Sequence, residues 1–410
     1  MLNTDIATGL YASASEGTTT PAGCRRSDRV LRGRDIICFS HDWTGDPLSK
    51  THLMRVLSEE NRILWVNAIA NRMPTASTKD LSRIYKKITS FAEPVREVEP
   101  NIFVLNPFAI PAYGSRAMVD LNRRSLIRQV RSAMKKLGFA DVINFVFNPA
   151  AGMVAGQLGE SQLIYYCVDE YTAFTGVTDG LKRIEDDLFR RADLVVVSAD
   201  KLLESKRHLN PNTHLIRHGT DWDHFRTALD PKTRIPPHIS SLPKPIIGFH
   251  GLLADWVDYE LLKKVAEHFS TGSVVLIGKI AVDAEQKIKT LDGISNLHLL
   301  GRQPYAELPA YCKAFDVALN PFAINELTLA ANPLKVREYL AAGLPVVSTD
   351  IPEVRVLADV LVARDDADFI AKIEQAIAAP RPRHAVSDHI KHESWKSKTE
   401  ELRALLASKR

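Results

Sequence analysis

The sequence predicts an α/β protein built from two doubly wound domains. Strand-like and helix-like segments alternate along the chain, and this alternation is typical of parallel sheets whose strands are joined by crossover helices. Several strand candidates are continuous apolar runs, as expected for strands that are covered on both faces. A proline-rich break separates two such series, and 410 residues are enough for two hydrophobic cores.

The strand candidates fall into two series on either side of the break. Those of the first series cover residues 35–41, 63–69, 102–108, 141–149, 163–170, 194–200 and 213–219. Those of the second series cover residues 245–251, 273–279, 296–302, 317–322, 345–350 and 360–365. Between them, the prolines of the segment DPKTRIPPHISSLPKP indicate an interdomain linker.

These features predict five segments along the chain. We expect a disordered tail at 1–30, a first domain at 31–229, a linker at 230–244, a second domain at 245–388 and an amphipathic helix at 389–410.

The composition is that of an ordinary globular protein, with 45% hydrophobic and 25% charged residues. No apolar run is long enough for a transmembrane helix, and the first thirty residues lack the apolar core of a signal peptide. The four cysteines have no metal-binding spacing, which indicates free thiols in a reducing compartment. The arginines are not interleaved with aromatic residues as a nucleic-acid surface requires. We therefore expect a cytoplasmic protein that does not bind nucleic acid.

The segment 332–350, NPLKVREYLAAGLPVVSTD, carries the most specific pattern of the chain. Pro333 suits the first position of a helix, and Lys335 then lies beside the positive end of that helix, where anions bind. Glu338 follows about one turn later on the same face. A cation for phosphate followed by a carboxylate for ribose is what a nucleotide diphosphate needs. Taken alone, the same pattern also fits an ordinary connection between a helix and a strand, in which Lys335 and Glu338 are only surface charges.

The chain resembles the GT-B glycosyltransferases, specifically the group 1 (family 4-like) enzymes of bacterial polysaccharide assembly, over roughly residues 35–408. The resemblance is carried by YYCVDEY (165–171), by the segments 190–225 and 248–262, and by the opening segment. Two features depart from the family pattern. Ala330 stands where members commonly have a glutamate eight positions before Glu338, and a basic pair after the first strand of the second domain is missing.

This resemblance implies the GT-B fold, in which two Rossmann-like domains face a central cleft and the C-terminal helix crosses back to the first domain. It implies that the second domain binds a nucleotide diphosphate sugar and the first domain an acceptor. The expected donor-binding residues are Lys335, Glu338, Asn332, Pro333, Leu334, His250 and Gly251. For His250 and Gly251, a glycine-containing turn without a binding role is the alternative.

The catalytic candidates follow two strands of the first domain. Asp169 and Glu170 end the strand LIYYCVDE, and the position of Asp169 resembles that of the base in the glucuronosyltransferase of xanthan assembly, a GT-B enzyme. Helix capping by Asp169 is the alternative, and Glu170 is the second candidate for the base. His41 and Asp42 follow the first strand, where contact with the acceptor is expected. Asp46, ahead of Pro47, is expected to cap the next helix.

A basic helix is predicted within residues 118–139. Arg124, Arg128, Arg131 and Lys135 recur at helical spacing, and an apolar side is expected from Leu121, Ile127, Val130, Met134 and Leu137. Such a helix suits an anionic membrane surface, although a solvated face of a packed helix fits equally well.

We therefore expect a metal-independent glycosyltransferase without a cofactor. It would transfer a sugar from a nucleotide diphosphate sugar to a polysaccharide precursor or a lipid-linked oligosaccharide, at the inner face of the cytoplasmic membrane. The alternatives are a nucleotide-sugar epimerase of GT-B fold and a non-enzymatic, two-lobed ligand-binding protein.

Overall fold

The computed structural model describes residues 31–69, 95–110, 115–173 and 177–408. The tail expected at 1–30 lies outside these residues. The described chain forms two sheets, and each is covered by helices on both faces, as in the doubly wound α/β class.

The first sheet has eight strands in the order β3-β4-β2-β1-β5-β6-β7-β8. Its strands are β1 (Asp35–Phe39), β2 (Arg62–Val66), β3 (Arg96–Glu99), β4 (Ile102–Leu105), β5 (Ile143–Val146), β6 (Gln162–Cys167), β7 (Leu194–Val197) and β8 (Thr213–Leu215). All neighbouring strands are parallel except β3, which is antiparallel to β4. The strand order reverses beside β1, so that β1 and β5 to β7 form the buried centre of the sheet.

The second sheet has six strands in the order β11-β10-β9-β12-β13-β14, and all its neighbours are parallel. Its strands are β9 (Ile246–His250), β10 (Ser273–Ile277), β11 (Leu297–Leu299), β12 (Val317–Asn320), β13 (Val346–Thr349) and β14 (Val360–Ala363).

Fourteen α-helices accompany the two sheets in the described residues. They are α1 (Ser49–Ser58), α2 (Arg116–Leu137), α3 (Asp179–Arg191), α4 (Asp200–Lys206), α5 (Trp222–Arg226), α6 (Pro237–Ser240), α7 (Tyr259–His268), α8 (Leu308–Ala314), α9 (Glu326–Leu329), α10 (Leu334–Ala341), α11 (Pro352–Arg355), α12 (Asp366–Ala378), α13 (Arg383–His389) and α14 (Trp395–Ala407).

Each of the thirteen predicted strand windows overlaps a strand, so the alternating pattern is confirmed. The strand β3 was missed. Its sequence, REVE, is polar and largely exposed, because β3 is an edge strand that contributes little to the core. An edge strand of this kind lacks the apolar run by which the other strands were recognised.

The last helix, α14, packs against α1 of the first sheet. Leu402 and Leu406 of α14 share a buried cluster with Leu53 and Leu57 of α1. The chain reaches this position through a short parallel contact, in which the Thr220 amide donates to Glu393 O at 2.8 Å and the Trp395 amide donates to Thr220 O at 3.1 Å. The end of the chain thus ties the second sheet back to the first.

Candidate active site

Contacts between the two sheets are made by residues that follow the carboxyl ends of strands. Arg302, after β11, forms a bidentate ion pair with Asp46, after β1, with an Nη2–Oδ1 distance of 2.5 Å. Asn332, ahead of α10, donates from Nδ2 to Ser198 O, after β7, at 2.6 Å. The two carboxyl edges therefore face one another, and ligands of doubly wound sheets bind at such edges.

On the second sheet, the start of α10 presents a lysine. Pro333 occupies the N-cap position, α10 begins at Leu334, and Lys335 is its second residue. The Lys335 Nζ lies 5.0 Å from the ring centroid of Phe322 and 5.5 Å from that of Phe249. Partial burial lowers the pKa of Lys335, and the Glu338 carboxylate opposes this shift. This cation lies beside the first-turn amides of a helix, which have no carbonyl partner within the helix.

Two glycines leave room for the Lys335 side chain. Gly251 has φ +144°, and a Cβ added there would lie 2.4 Å from Lys335 Cε. A Cβ added at Gly278 would lie 1.8 Å from Gly251 O. A side chain at either position would therefore displace the lysine or the loop that supports it. The sequence GFHG thus forms a glycine-containing turn, which was the alternative interpretation of His250 and Gly251. The same turn also forms one wall around Lys335.

Glu338 and His250 form a buried polar pair beside this lysine. The distance from His250 Nε2 to Glu338 Oε2 is 3.9 Å, and both side chains are almost fully buried. Burial raises the pKa of Glu338 and lowers the pKa of His250 to about 3, so this imidazole is neutral at physiological pH. The Tyr339 hydroxyl holds the His250 backbone, because it accepts from the amide at 2.7 Å and donates to the carbonyl at 3.1 Å.

The Asn332 side chain connects the two sheets. Besides the bond from Nδ2 to Ser198 O, the side-chain oxygen Oδ1 accepts from Arg337 Nη1 at 2.5 Å. The backbone carbonyl of Asn332 lies 3.1 Å from His218 Nδ1. These contacts occupy the polar atoms of the side chain. The prediction that the segment from Asn332 to Leu334 binds the donor therefore depends on the amides at the start of α10.

On the first sheet, the neighbours Asp169 and Glu170 have different surroundings. Glu170 accepts from Lys206 Nζ at 2.7 Å and from the Thr172 hydroxyl. The partly buried Asp169 carboxylate has no hydrogen bond within the described residues. Burial raises the pKa of Asp169, and the positive charge of Lys50 opposes this shift. Glu170 is therefore engaged in the fold, and a catalytic role for Asp169 stays a prediction.

The loop after β1 holds the remaining candidates. The His41 ring lies 3.1 Å from Ser40 Oγ and 3.2 Å from Thr51 Oγ1, and burial lowers the pKa of His41 to about 3. Asp42 is exposed and accepts from the Ala68 amide at 3.1 Å. Both side chains shape the loop, and a contact with acceptor stays a prediction.

The cap predicted for Asp46 was wrong. The helix α1 begins at Ser49, and Leu48 is its N-cap residue. Asp46 instead reaches across to Arg302 of the second sheet.

Sequence reasoning missed Lys50 and Tyr305. Lys50 lies in the first turn of α1, partly buried, and its charge acts on Asp169. The Tyr305 hydroxyl lies 3.4 Å from His52 Nε2, and its ring stacks on His224 with centroids 4.6 Å apart. Lys50 lies on the helix that follows β1, and ligands of doubly wound sheets bind near the carboxyl ends of strands. The sequence therefore contained a signal for Lys50. Nothing in the local sequence around Tyr305 indicates its partners, which are distant in the chain.

A separate pocket of about 450 Å³ lies where α1, the start of α5 and the start of α14 meet. His52, Asp221 and Trp395 line it, together with basic residues of α1 and α14. The predicted site residues do not line this pocket. The candidate site is therefore assigned from the strand ends and the charges described above.

The second domain matches a protein family. Residues 244–379 match the family model described as Glycosyl transferases group 1. The segment from β9 to α12 is therefore a group 1 glycosyltransferase domain, and it contains Lys335, Glu338 and His250.

One similar curated protein comes from Bacillus subtilis (strain 168). It is named for a proposed role as the teichuronic acid biosynthesis glycosyltransferase TuaH, and it is 22% identical over 247 residues. The match covers 56% of this chain and 62% of the Bacillus protein, so the two are similar over less than two thirds of that protein's length.

Solved structures of the GT-B class share the fold of the whole described chain. Sucrose-phosphate synthase from Thermosynechococcus elongatus is 16% identical, with a TM-score of 0.66, over 92% of this chain and 98% of that one. Anabaena Alr3699/HepE in complex with UDP is 11% identical, with a TM-score of 0.62, over 92% of this chain and 100% of that one. These likenesses confirm the GT-B fold.

Proposed function

We propose that this chain, a GT-B protein with a group 1 glycosyltransferase domain, transfers a sugar from a nucleotide diphosphate sugar to a polysaccharide precursor or a lipid-linked oligosaccharide. The observation that carries the proposal is the position of Lys335 at the start of α10. Just ahead of α10, Asn332 contacts Ser198 O after the carboxyl end of β7, and Asp169 follows the carboxyl end of the neighbouring strand β6. The proposal is further supported by two similar structures of Anabaena Alr3699/HepE, one in complex with UDP and one in complex with UDP and glucose.

The residues that we assign to the donor follow from the negative charge that develops on the diphosphate during the reaction. When the bond from the anomeric carbon to the diphosphate breaks, negative charge grows on the departing oxygen, and preorganised cations and amides stabilise it. We assign this role to the Lys335 ammonium and the first-turn amides of α10. Glu338 accepts hydrogen bonds from the ribose hydroxyls, and neutral His250 fills the space beside it.

The acceptor half needs a group that removes a proton. A base contributes most when its pKa lies near the working pH, and burial raises the pKa of Asp169 in this direction. We assign the base to Asp169, with Glu170 as its neighbour in a structural ion pair. A carboxylate that deprotonates the acceptor hydroxyl fits attack from the face opposite the diphosphate, with inversion at the anomeric carbon.

A ligand screen tests the function. UDP-, GDP- and dTDP-sugars are added in turn, and one is expected to raise the melting temperature, since a ligand at 100 times its dissociation constant adds about 2.7 kcal/mol to the free energy of unfolding. Equal stability with every nucleotide would contradict the proposal. A donor-only assay then separates transfer from epimerisation, because an epimerase forms its product without acceptor. Donor binding without any product over a panel of acceptors would favour the two-lobed binding protein.

The acceptor domain carries a surface suited to an anionic membrane. Arg124, Arg128, Arg131 and Lys135 form an exposed stripe along α2, as predicted from their spacing. Leu121, expected on the apolar side, is instead 57% exposed. Because an exposed leucine near a basic stripe can enter the headgroup region, we propose peripheral attachment to the inner face of the cytoplasmic membrane.

The neighbouring segment extends this surface. Phe108 and Ile110 are 38% and 39% exposed, and their backbone is bound to α2 by two side chains. Gln129 accepts from the Phe108 amide at 2.9 Å, and Asn122 accepts from the Ile110 amide at 2.9 Å. The segment that carries these apolar side chains is thereby held against α2, which carries the basic stripe. No helix in the described ranges is long and apolar enough to cross a bilayer.

Replacing Arg124, Arg128 and Arg131 by Gln is expected to abolish co-sedimentation with anionic vesicles at low salt while changing the melting temperature little, because all three side chains are exposed. The control variant replaces the exposed Lys279, Lys287 and Lys289 of the second domain, which removes the same charge elsewhere. Persistent binding by the arginine variant, or equal loss in the control, would show that α2 is not the attachment surface.

A further inference from the structure

The helix that carries Lys335 also carries a fully buried arginine. Arg337 has no exposed surface. Its Nη1 donates to Asn332 Oδ1 at 2.5 Å, and its Nε donates to Glu393 Oε2 at 3.1 Å. Among the described residues, its Nη2 has no hydrogen-bond partner. A buried guanidinium whose hydrogen bonds are incomplete costs free energy, so its presence in this helix indicates a specific role.

The bond from Arg337 to Asn332 spans the first turn of α10. Asn332 precedes the N-cap residue Pro333, and Arg337 is the fourth residue of the helix. Lys335 and the first-turn amides lie between these two ends. Because a side-chain hydrogen bond joins the two ends of the turn, the direction of the Lys335 side chain and of the amides is fixed before any ligand binds.

The same asparagine joins this turn to the first domain. Its Nδ2 donates to Ser198 O at 2.6 Å, and its backbone carbonyl lies 3.1 Å from His218 Nδ1. Ser198 directly follows β7, and His218 is the third residue after β8. All three residues are buried. The start of α10 is therefore fixed against the first sheet as well as within its own helix.

A buried carboxylate strengthens this contact between the domains. Glu353 of α11 is 1% exposed, and it accepts from the Asp200 amide at 2.7 Å and from Arg217 Nε at 2.8 Å. Its Oε2 lies 3.4 Å from Asn332 Nδ2. Asp200 and Arg217 belong to the first domain, so two side chains of the second domain are bonded to the first domain at the same place.

We propose that Arg337 is a positioning residue for the donor. Through Asn332 it holds the first turn of α10, with Lys335, in the orientation that receives the diphosphate. This inference rests on the proposed function. Arg337 does not touch the donor, because its side chain is fully buried and bonded to Asn332 and Glu393. A change at Arg337 therefore weakens diphosphate binding without removing a contact to the ligand.

A double-mutant cycle tests this role. Arg337→Lys keeps the positive charge beside Glu393 but loses the planar fork that reaches two partners, and Asn332→Ala removes the same bond from the other side. UDP, GDP and dTDP are titrated, together with their nucleosides. Each variant is expected to bind the preferred diphosphate about tenfold more weakly, within the range of coupling inside one hydrogen-bond network, and to bind the nucleoside normally.

The double variant is expected to bind the diphosphate no more weakly than Asn332→Ala, because Arg337 acts through Asn332. A purely structural role would lower the melting temperature and leave the ratio of diphosphate to nucleoside affinity unchanged. An unchanged ratio in Arg337→Lys, or losses that add in the double variant, would overturn the proposal.

The matched control is Arg302→Lys. It makes the same substitution at another arginine of the second domain that bonds to the first domain, through Asp46, but its side chain is 56% exposed and does not contact α10. This variant is expected to keep the wild-type ratio of affinities. An equal loss in Arg302→Lys would show that any contact between the domains has this effect, and would overturn the assignment to Arg337.

Deuterium exchange of the α10 amides provides a readout that does not depend on the ligand. Faster exchange is expected in Arg337→Lys and in Asn332→Ala, and wild-type exchange in Arg302→Lys. Unchanged exchange in the first two variants would overturn the proposal, whether or not the protein binds a nucleotide. If the wild-type protein binds none of the three diphosphates while exchange still differs, the proposed function and the role in donor positioning fail, and only the structural effect of Arg337 on α10 stands.

Discussion

Asp169→Asn is expected to keep donor affinity and to lower turnover by about 10²–10⁴, the usual contribution of a general base. The substitution preserves the shape of the side chain but removes its capacity to accept a proton. Donor binding is expected to survive because Asp169 lies on the first sheet, whereas Lys335 and Glu338 lie on α10 of the second domain. Single-turnover rates and equilibrium titration with the nucleotide sugar measure the two effects separately.

The matched control for this prediction is Glu170→Gln, the same chemical change one position along. It leaves the partly buried Lys206 without its carboxylate partner, so a lower melting temperature with little change in turnover is expected. Near-normal turnover in Asp169→Asn with a large loss in Glu170→Gln would transfer the role to Glu170. A product that retains the donor's anomeric configuration would remove the need for a base at either position.

Lys335→Ala is expected to weaken binding of the nucleotide diphosphate by about 1.5–3 kcal/mol, the range for hydrogen bonds to charged groups. Binding of the bare nucleoside is expected to change little, because it has no phosphate for the lysine to contact. Isothermal titration with both ligands measures the difference. The control Lys263→Ala removes a lysine from the surface of α7 in the same domain. An equal loss for nucleoside and diphosphate would mean that Lys335 only supports the fold.

Gly251→Ala tests whether diphosphate binding depends on the position of the Lys335 side chain. Its added Cβ would lie 2.4 Å from Lys335 Cε, in a backbone conformation that side chains rarely adopt. The control Gly293→Ala has the same kind of strain, with φ +82°, but its added Cβ would have no atom within 4 Å. Both variants are expected to lose about 1–3 kcal/mol of stability. Weaker diphosphate binding is expected for Gly251→Ala, and a normal affinity there would show that the position of Lys335 does not matter.

The two-sheet architecture could be predicted because it depends on patterns that repeat locally. Each buried strand of a doubly wound sheet needs a short apolar run, and each crossover helix needs an apolar face. The helix start at 332–335 was also predictable, since Pro333 and Lys335 act within one turn, although the structure places Pro333 at the N-cap position. The strand β3 escaped because an exposed edge strand places few demands on its residues.

The sequence by itself determined the doubly wound α/β class, the two series of strands and the presence of Lys335 and Glu338 on one face of a helix start, because these follow from spacing within a few residues. The GT-B class came from the resemblance to the group 1 glycosyltransferases. The tertiary structure determined which charged side chains are paired with another residue of the protein. Glu170 forms an ion pair with Lys206, and Asp46 forms one with Arg302 in place of its expected cap. These partners lie 36 and 256 residues apart, and contacts at such separations are set by the packing of whole elements.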